Sequence, residues 1–214
     1  MNTVIFELGG ESYDSYTDLG LILNSKSIGS PKVKTNYVDI PGADGKIDYT
    51  DYFGDVKFEN RQVDFSFQKI DPLPLDDTDL KNLLHGQKCK IFLSELPDFY
   101  FVGRVDVGEW QKNKKVASVK ISCDCEAWRY KASETVKTVT VSGSGNITLS
   151  NLRKSAVPKI TTSAAVVLSF GGITANLSSG TDVIVDSLVL KKGNTTIQIT
   201  GNSTVTFKYQ EGSL

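Results

Sequence analysis

The chain is poor in the residues that most enzymatic and metal chemistry relies on. It holds one histidine, His85, and three cysteines, Cys89, Cys123 and Cys125, in 214 residues. An odd thiol count in a chain of this length is not a disulfide framework and suits synthesis in a reducing compartment. Cys123-Asp124-Cys125 on an alternating strand would put both sulfurs on one face, but a closed tetrahedral site needs four ligands and only His85 and Cys89 remain to complete it. Buried free thiols are therefore expected, with no metal and no cofactor. A basic excess is also lacking: the formal net charge is −1 and the isoelectric point about 5.9, which argues against nucleic acid or an anionic membrane as a partner. Long apolar runs are missing too, since stretches such as Ala164–Phe170 are too short to cross a bilayer. The N-terminal MNTVIFELGGES has neither a basic start nor a following apolar run, so no secretory signal is expected. No phosphate loop, dinucleotide fingerprint, nucleophile elbow or HExxH helix occurs. His85 could serve as a general base, but no serine or cysteine motif points at it, and a histidine near the surface at a helix end is the expected role.

What the chain does have is alternation and a change of composition part-way along. Residues 135–214 carry a net charge of +4 and the remainder −5, and only Phe170, Phe207 and Tyr209 among the aromatic residues lie after 134. The shift predicts two domains, 1–134 and 135–214. Gln62–Gln68 (QVDFSFQ) places Val63, Phe65 and Phe67 on one face of a strand. Val116–Ser122 alternates as well, with Val119 and Ile121 in one phase and room for a bulge after Val116. Lys90–Leu93 and Tyr100–Val107 are further strands around the turn Glu95–Asp98. In the second part, Thr135–Val141, Asn146–Leu149, Lys159–Thr162, Val166–Phe170, Asp182–Asp186, Thr195–Ile199 and Ser203–Tyr209 read as short strands between SGSG, SSG, KKGN and TGN turns, the pattern of a β-sandwich. One helix is expected near 76–85, within Pro74–Gly86: Asp76 or Asp77 caps it, Leu80, Leu83 and Leu84 form its apolar stripe, and Gly86 ends it. The fold class is therefore mainly β with one α-helix.

The segment Tyr37–Asp55 (YVDIPGADGKIDYTDYFGD) concentrates carboxylates, glycine and proline. Read as a calcium loop with Asp44 and Gly45 at positions five and six, it puts Ile40 and Gly42 at positions one and three, where side-chain oxygens are required. Read as a source of a catalytic acid pair, Asp39, Asp44, Asp48, Asp51 and Asp55 are strung along a polar, glycine-bearing loop, where a solvated acidic turn is expected instead of the buried carboxyl that such a pair requires. Geometry is the better reading. Pro41-Gly42 fixes one φ and frees the next, and Asp44-Gly45 is a hairpin signal, so Asn36–Ile40 and Lys46–Asp51 are expected to pair around PGADG.

With these residues in view, VDIPGADGKIDYTDYFGDVKFENRQVDFSF resembles the N-terminal signature of siphophage distal tail proteins, an "IPG-x-DG" turn followed by an "NR-x-(V/L)-x-F-x-F" strand. The LLHG helix end followed by KIFLSELPDFYFVGRV is similar to that family's next segment, and GNTTIQITGNSTVTFKYQEGSL to its closing pattern. The three motifs occur in the family's order and span most of the chain. The resemblance implies a structural protein, not an enzyme: a ring, usually a hexamer, at the tip of a long non-contractile tail of a phage or prophage. Such a ring joins the tail-tube protein to the tail-tip proteins that adsorb to the host, and is made and assembled in the bacterial host cytoplasm. DNA would pass its channel without specific binding, and no membrane is involved. The implied fold is a β-sandwich-like N-terminal domain with one helix and a β-hairpin, plus a galectin-like or jelly-roll C-terminal β-sandwich.

Within that reading Pro41, Gly42, Asp44, Gly45, Asp48, Asp51 and Asp55 are candidates for inter-subunit contact or for the channel lining, where acids would repel DNA phosphates. Arg61 either pairs with one of these acids or is an ordinary surface arginine. The alternatives are a carbohydrate-binding module in residues 135–214, a tail-tube subunit with a related core, and a wall hydrolase using the loop carboxylates.

Overall fold

The computed structural model describes residues 2–52, 54–70, 76–113 and 116–214; Phe53, Pro74 and Leu75, named above, lie outside them. The chain divides into two compact units, Met1–Arg129 with Leu214, and Tyr130–Ser213. Each is built almost wholly of antiparallel strands, as expected for a mainly β protein with one helix.

The first unit contains β1 (Val4–Leu8), β2 (Glu11–Asp14), β3 (Ile22–Ile28), β4 (Tyr37–Asp39), β5 (Lys46–Asp48), β6 (Arg61–Ile70), α1 (Asp77–Leu84), β7 (Lys88–Leu93), β8 (Phe99–Val107), β9 (Gln111–Asn113) and β10 (Val116–Lys131), whose last two residues belong to the second unit. The main sheet runs β2-β1-β7-β8-β10-β6-β3, with β9 added beside β10. Strands β1 to β3 were not foreseen, because VIFEL and ILNSKSI are too short and mixed to alternate visibly. The inner face of β6 is the predicted one: Val63, Phe65 and Phe67 are fully buried against Phe6, Ile91, Phe101 and Ile121. Strand β10 pairs β6 residue for residue from Val116 to Cys125, without the anticipated bulge. Ala117, Val119 and Ile121 face the core, and Val116 points outward. Fully burying side chains of this size contributes roughly 1.5–3 kcal/mol each, and in this unit they share a single core cluster.

Helix α1 forms where the caps place it. Asp76 accepts the Asp79 amide at 2.8 Å while the Asp79 carboxylate receives the Asp76 amide, a reciprocal capping box. Leu80 and Leu84 are buried, and His85 is the C-cap before Gly86, whose φ of +76° ends the helix. His85 Nδ1 accepts the Val107 amide at 3.1 Å, so the histidine fastens the helix end to β8.

The second unit holds β11 (Thr135–Asn151), β12 (Lys159–Thr162), β13 (Val166–Phe170), β14 (Ile173–Leu177), β15 (Gly180–Ile184), β16 (Gly193–Tyr209) and β17 (Gly212–Ser213). Here the structure corrects the strand map. The SGSG and TGN stretches do not end strands; they lie inside β11 and β16, which pair without interruption from Thr135↔Tyr209 to Asn151↔Gly193. Gly143 and Gly201 stand opposite each other in this ribbon with φ of +83° and +140°. The ribbon folds there, sharply enough that a Cβ on Gly145 would lie 3.3 Å from the Val141 side chain. One half of β16 pairs β12 and the other half pairs β13, so a single long ribbon serves both layers of a sandwich. Leu149, Ile160, Leu168, Ile197, Ile199 and Phe207 fill the space between.

Candidate functional site

The three cysteines are buried and free. Burial pushes the Cys125 thiol up to about 12 and raises Cys89 and Cys123 as well. Among the described residues no three His, Cys, Asp or Glu side chains cluster as metal ligands, and no helix is long and apolar enough to cross a membrane. In the second unit Phe207 and Tyr209 are core residues, Phe170 is 7 % exposed, and the half-buried Tyr130 ring has the Lys154 ammonium 5.3 Å from its centre.

The feature that stands out is an arm. The segment 29–60 leaves the first unit's sheet between β3 and β6 as two antiparallel legs. Backbone hydrogen bonds tie the legs at Gly29–Gln62 (2.8 Å), Lys32–Glu59 (2.8 Å), Lys34–Lys57 (2.9 Å) and Asn36–Tyr49 (2.8 Å). The return leg carries an extra loop, with residues 50–52 and 54–56 described, between the last two ties. The tip is the two-stranded β4–β5 hairpin, in register Tyr37↔Asp48, Val38↔Ile47 and Asp39↔Lys46. Ile40-Pro41-Gly42-Ala43 closes as a turn, with the Ala43 amide donating to the Ile40 carbonyl at 3.1 Å and Gly42 at φ +83°. Proline presets the first central residue, and only glycine accepts the second without strain. Gly45, at +79°, turns the chain back into β5.

Every residue of β4 and β5 is exposed, so neither face of the hairpin rests on a core. One face bears the cross-strand apolar pair Val38 and Ile47, with Ile40 beyond them. The other bears Tyr37, 51 % exposed, with Asp48 and the Lys46–Asp39 ion pair of 3.5 Å. Tyr52 is 70 % exposed, and its ring meets Tyr49 edge-on. A two-stranded hairpin standing alone in water is marginal, and apolar side chains on an unpacked face call for a covering surface.

The structure gathers the sequence candidates unevenly. Pro41, Gly42, Asp44 and Gly45 form the tip, Asp48 is the last residue of β5, and Asp51 and Asp55 lie on the extra loop; all four carboxylates are exposed. Asp48 is held below the ordinary carboxylate value by the Thr50 hydroxyl and the Thr50 amide at 2.9 Å, the opposite of what a general acid requires.

Arg61 is no surface arginine. It is the first inward residue of β6, only 6 % exposed, with its guanidinium 5.6 Å from the centre of the Phe101 ring. The signal was present in the sequence: the phase of Val63, Phe65 and Phe67, extended two residues back, points Arg61 inward. Its Nε and Nη2 are buried without a hydrogen-bond partner among the described residues. Burial lowers its pKa, and the nearby Arg129 lowers it further. Sequence reasoning also missed Arg129, whose guanidinium lies 4.9 Å from the Phe99 ring centre, and the exposed apolar pair of the hairpin.

No protein-family model and no curated protein matches the sequence. The structure, however, is similar to the crystal structure of SPP1 Dit (gp 19.1), described as a paradigm of the hub adsorption apparatus in phages infecting Gram-positive bacteria. The TM-score is 0.62 at 17 % identity, and the match covers 100 % of both chains. The two proteins share a fold.

Proposed function

We propose that this chain is a structural, non-enzymatic subunit of the tip of a long non-contractile phage or prophage tail. Copies of it close into a ring, most simply a hexamer, that joins the tail-tube protein to the tail-tip proteins responsible for host adsorption. The observation that carries this reading is the arm: a two-stranded hairpin with a cross-strand Val38–Ile47 pair that belongs to neither core cluster. Pairing or packing against a neighbour would cover it, and a head-to-tail contact of fixed rotation closes a ring. The likeness to a phage hub protein over the full chain supports the same role. Under this reading the subunit is made in the bacterial host cytoplasm and resides at the virion tail tip. DNA passes the ring without specific contact, and the acids of the arm line the channel or meet the next subunit.

Light scattering and electron microscopy of the purified chain at high concentration test the proposal. Single-layer closed rings are expected. Long stacks would assign the chain to the tail tube, and a strict monomer at all concentrations, alone and with tube ends added, would overturn the proposal.

A further inference from the structure

We propose that Arg61 and Arg129 form a binding site for a carboxylate. The argument starts from a cation placed where proteins do not leave one. Arg61 is buried and two of its donor nitrogens have no partner among the described residues, whereas nearly all buried polar groups in folded proteins are hydrogen-bonded. Its guanidinium lies over the Phe101 ring, and a ring face does not satisfy in-plane N–H groups; Cys125, the other favourable neighbour, is a thiol held protonated by burial. The same inner face carries a second guanidinium, because Phe99 and Phe101 are two residues apart on β8 and seat Arg129 and Arg61 respectively. The two like charges repel, and Arg129 makes the charged form of Arg61 costlier to bury.

An oxyanion reverses both penalties. A guanidinium offers parallel N–H groups whose spacing matches the two oxygens of a carboxylate. Removing one partner from a buried charge pair leaves a penalty of the kind Arg61 now shows. The favoured source is the exposed Asp44–Asp55 segment of a second copy, which bears four solvated carboxylates, a choice that rests on the ring proposed above. A free small carboxylate is the other source of the same chemistry.

The first test needs no assembly. Thermal melts of the full chain in succinate, against sodium chloride at matched ionic strength, should show a saturable rise in Tm of a few degrees, lost in Arg61→Met and reduced in Arg61→Lys, which keeps the charge without the fork. Should Arg61→Met fail to fold, the Nε–H resonance of Arg61 in the wild-type chain gives the same answer, shifting with succinate and not with chloride. No succinate effect on either readout overturns the site and leaves an ordered water as the partner of Arg61. The second test is sedimentation. Arg61→Met and the fourfold Asp→Asn variant at 44, 48, 51 and 55 should each weaken self-association about tenfold, a change of about 1.4 kcal/mol. Their combination should be no weaker than either alone. Unchanged association with a persisting succinate shift overturns the second copy as the source and assigns the site to free carboxylates. A wild-type chain that never associates sinks the ring, while the succinate arm still decides the site.

Discussion

Gly143 and Gly201 face each other across the β11–β16 ribbon, both at positive φ, and mark the fold line of the second unit. A Cβ on Gly201 would lie 2.9 Å from the Ala165 carbonyl oxygen and 3.2 Å from the Val166 side chain. Gly201→Ala therefore meets both a strained backbone and a clash, and is expected to cost about 2–4 kcal/mol. Hydrogen exchange should report the loss in residues 135–209 and leave the slow amides of β6 and β8 in place.

Gly103 has a different reason to be glycine. A Cβ there would come within 2.5 Å of the Cys125 sulfur and 2.8 Å of the Asp124 carbonyl oxygen, so β8 and β10 approach more closely than any side chain permits. Gly103→Ala should destabilise the first unit by about 2 kcal/mol or more, measured by urea unfolding of the full chain. The glycine of the FVGR motif is thus explained by packing.

The hairpin behaves oppositely. Val38→Ser with Ile47→Ser changes two side chains that belong to neither core cluster, so the melting temperature of the unassembled chain should stay within a degree or so of wild type. Self-association, read by sedimentation, should weaken by about tenfold or more.

Asp64 supplies a pH signature. The Ser122 hydroxyl at 2.7 Å, then Gln62 and Lys120, hold its carboxyl below the ordinary value of 3.8. A depressed folded pKa adds stability that is complete above the unfolded value and is lost as pH falls through it towards the folded one. Wild type should therefore lose stability below about pH 4 more steeply than Asp64→Asn, seen as a difference in Tm against pH.

At the start of α1, Asp76→Ala removes the side-chain half of the capping box and should cost about 1 kcal/mol. Asp76→Ser should restore most of it.

The parts of this fold that were legible in the sequence are those set by local chemistry. Pro41-Gly42 and Asp44-Gly45 announce a hairpin because their dihedral demands are specific, and Asp76 and Gly86 bracket a helix because they answer its unpaired amides and its left-handed exit. The second unit's corner was misread for a physical reason: SGSG has the composition of a turn, and only the pairing of Gly143 with Gly201 makes it a crease within a continuous strand. Arg61 was misjudged because its neighbours Asn60 and Gln62 are polar, although the phase of β6 already placed it inside. The apolar pair of the arm was invisible because Val38 and Ile47 look like any half-buried strand residues until the core is found to lie elsewhere.

The sealed thiols have a consequence for where the molecule can travel. Sulfur exchange begins from the thiolate, and burial raises the Cys125 pKa so that the thiol stays protonated at neutral pH. Buried thiols held in the protonated form resist air oxidation and disulfide exchange, so the folded chain should stay intact without a reductant.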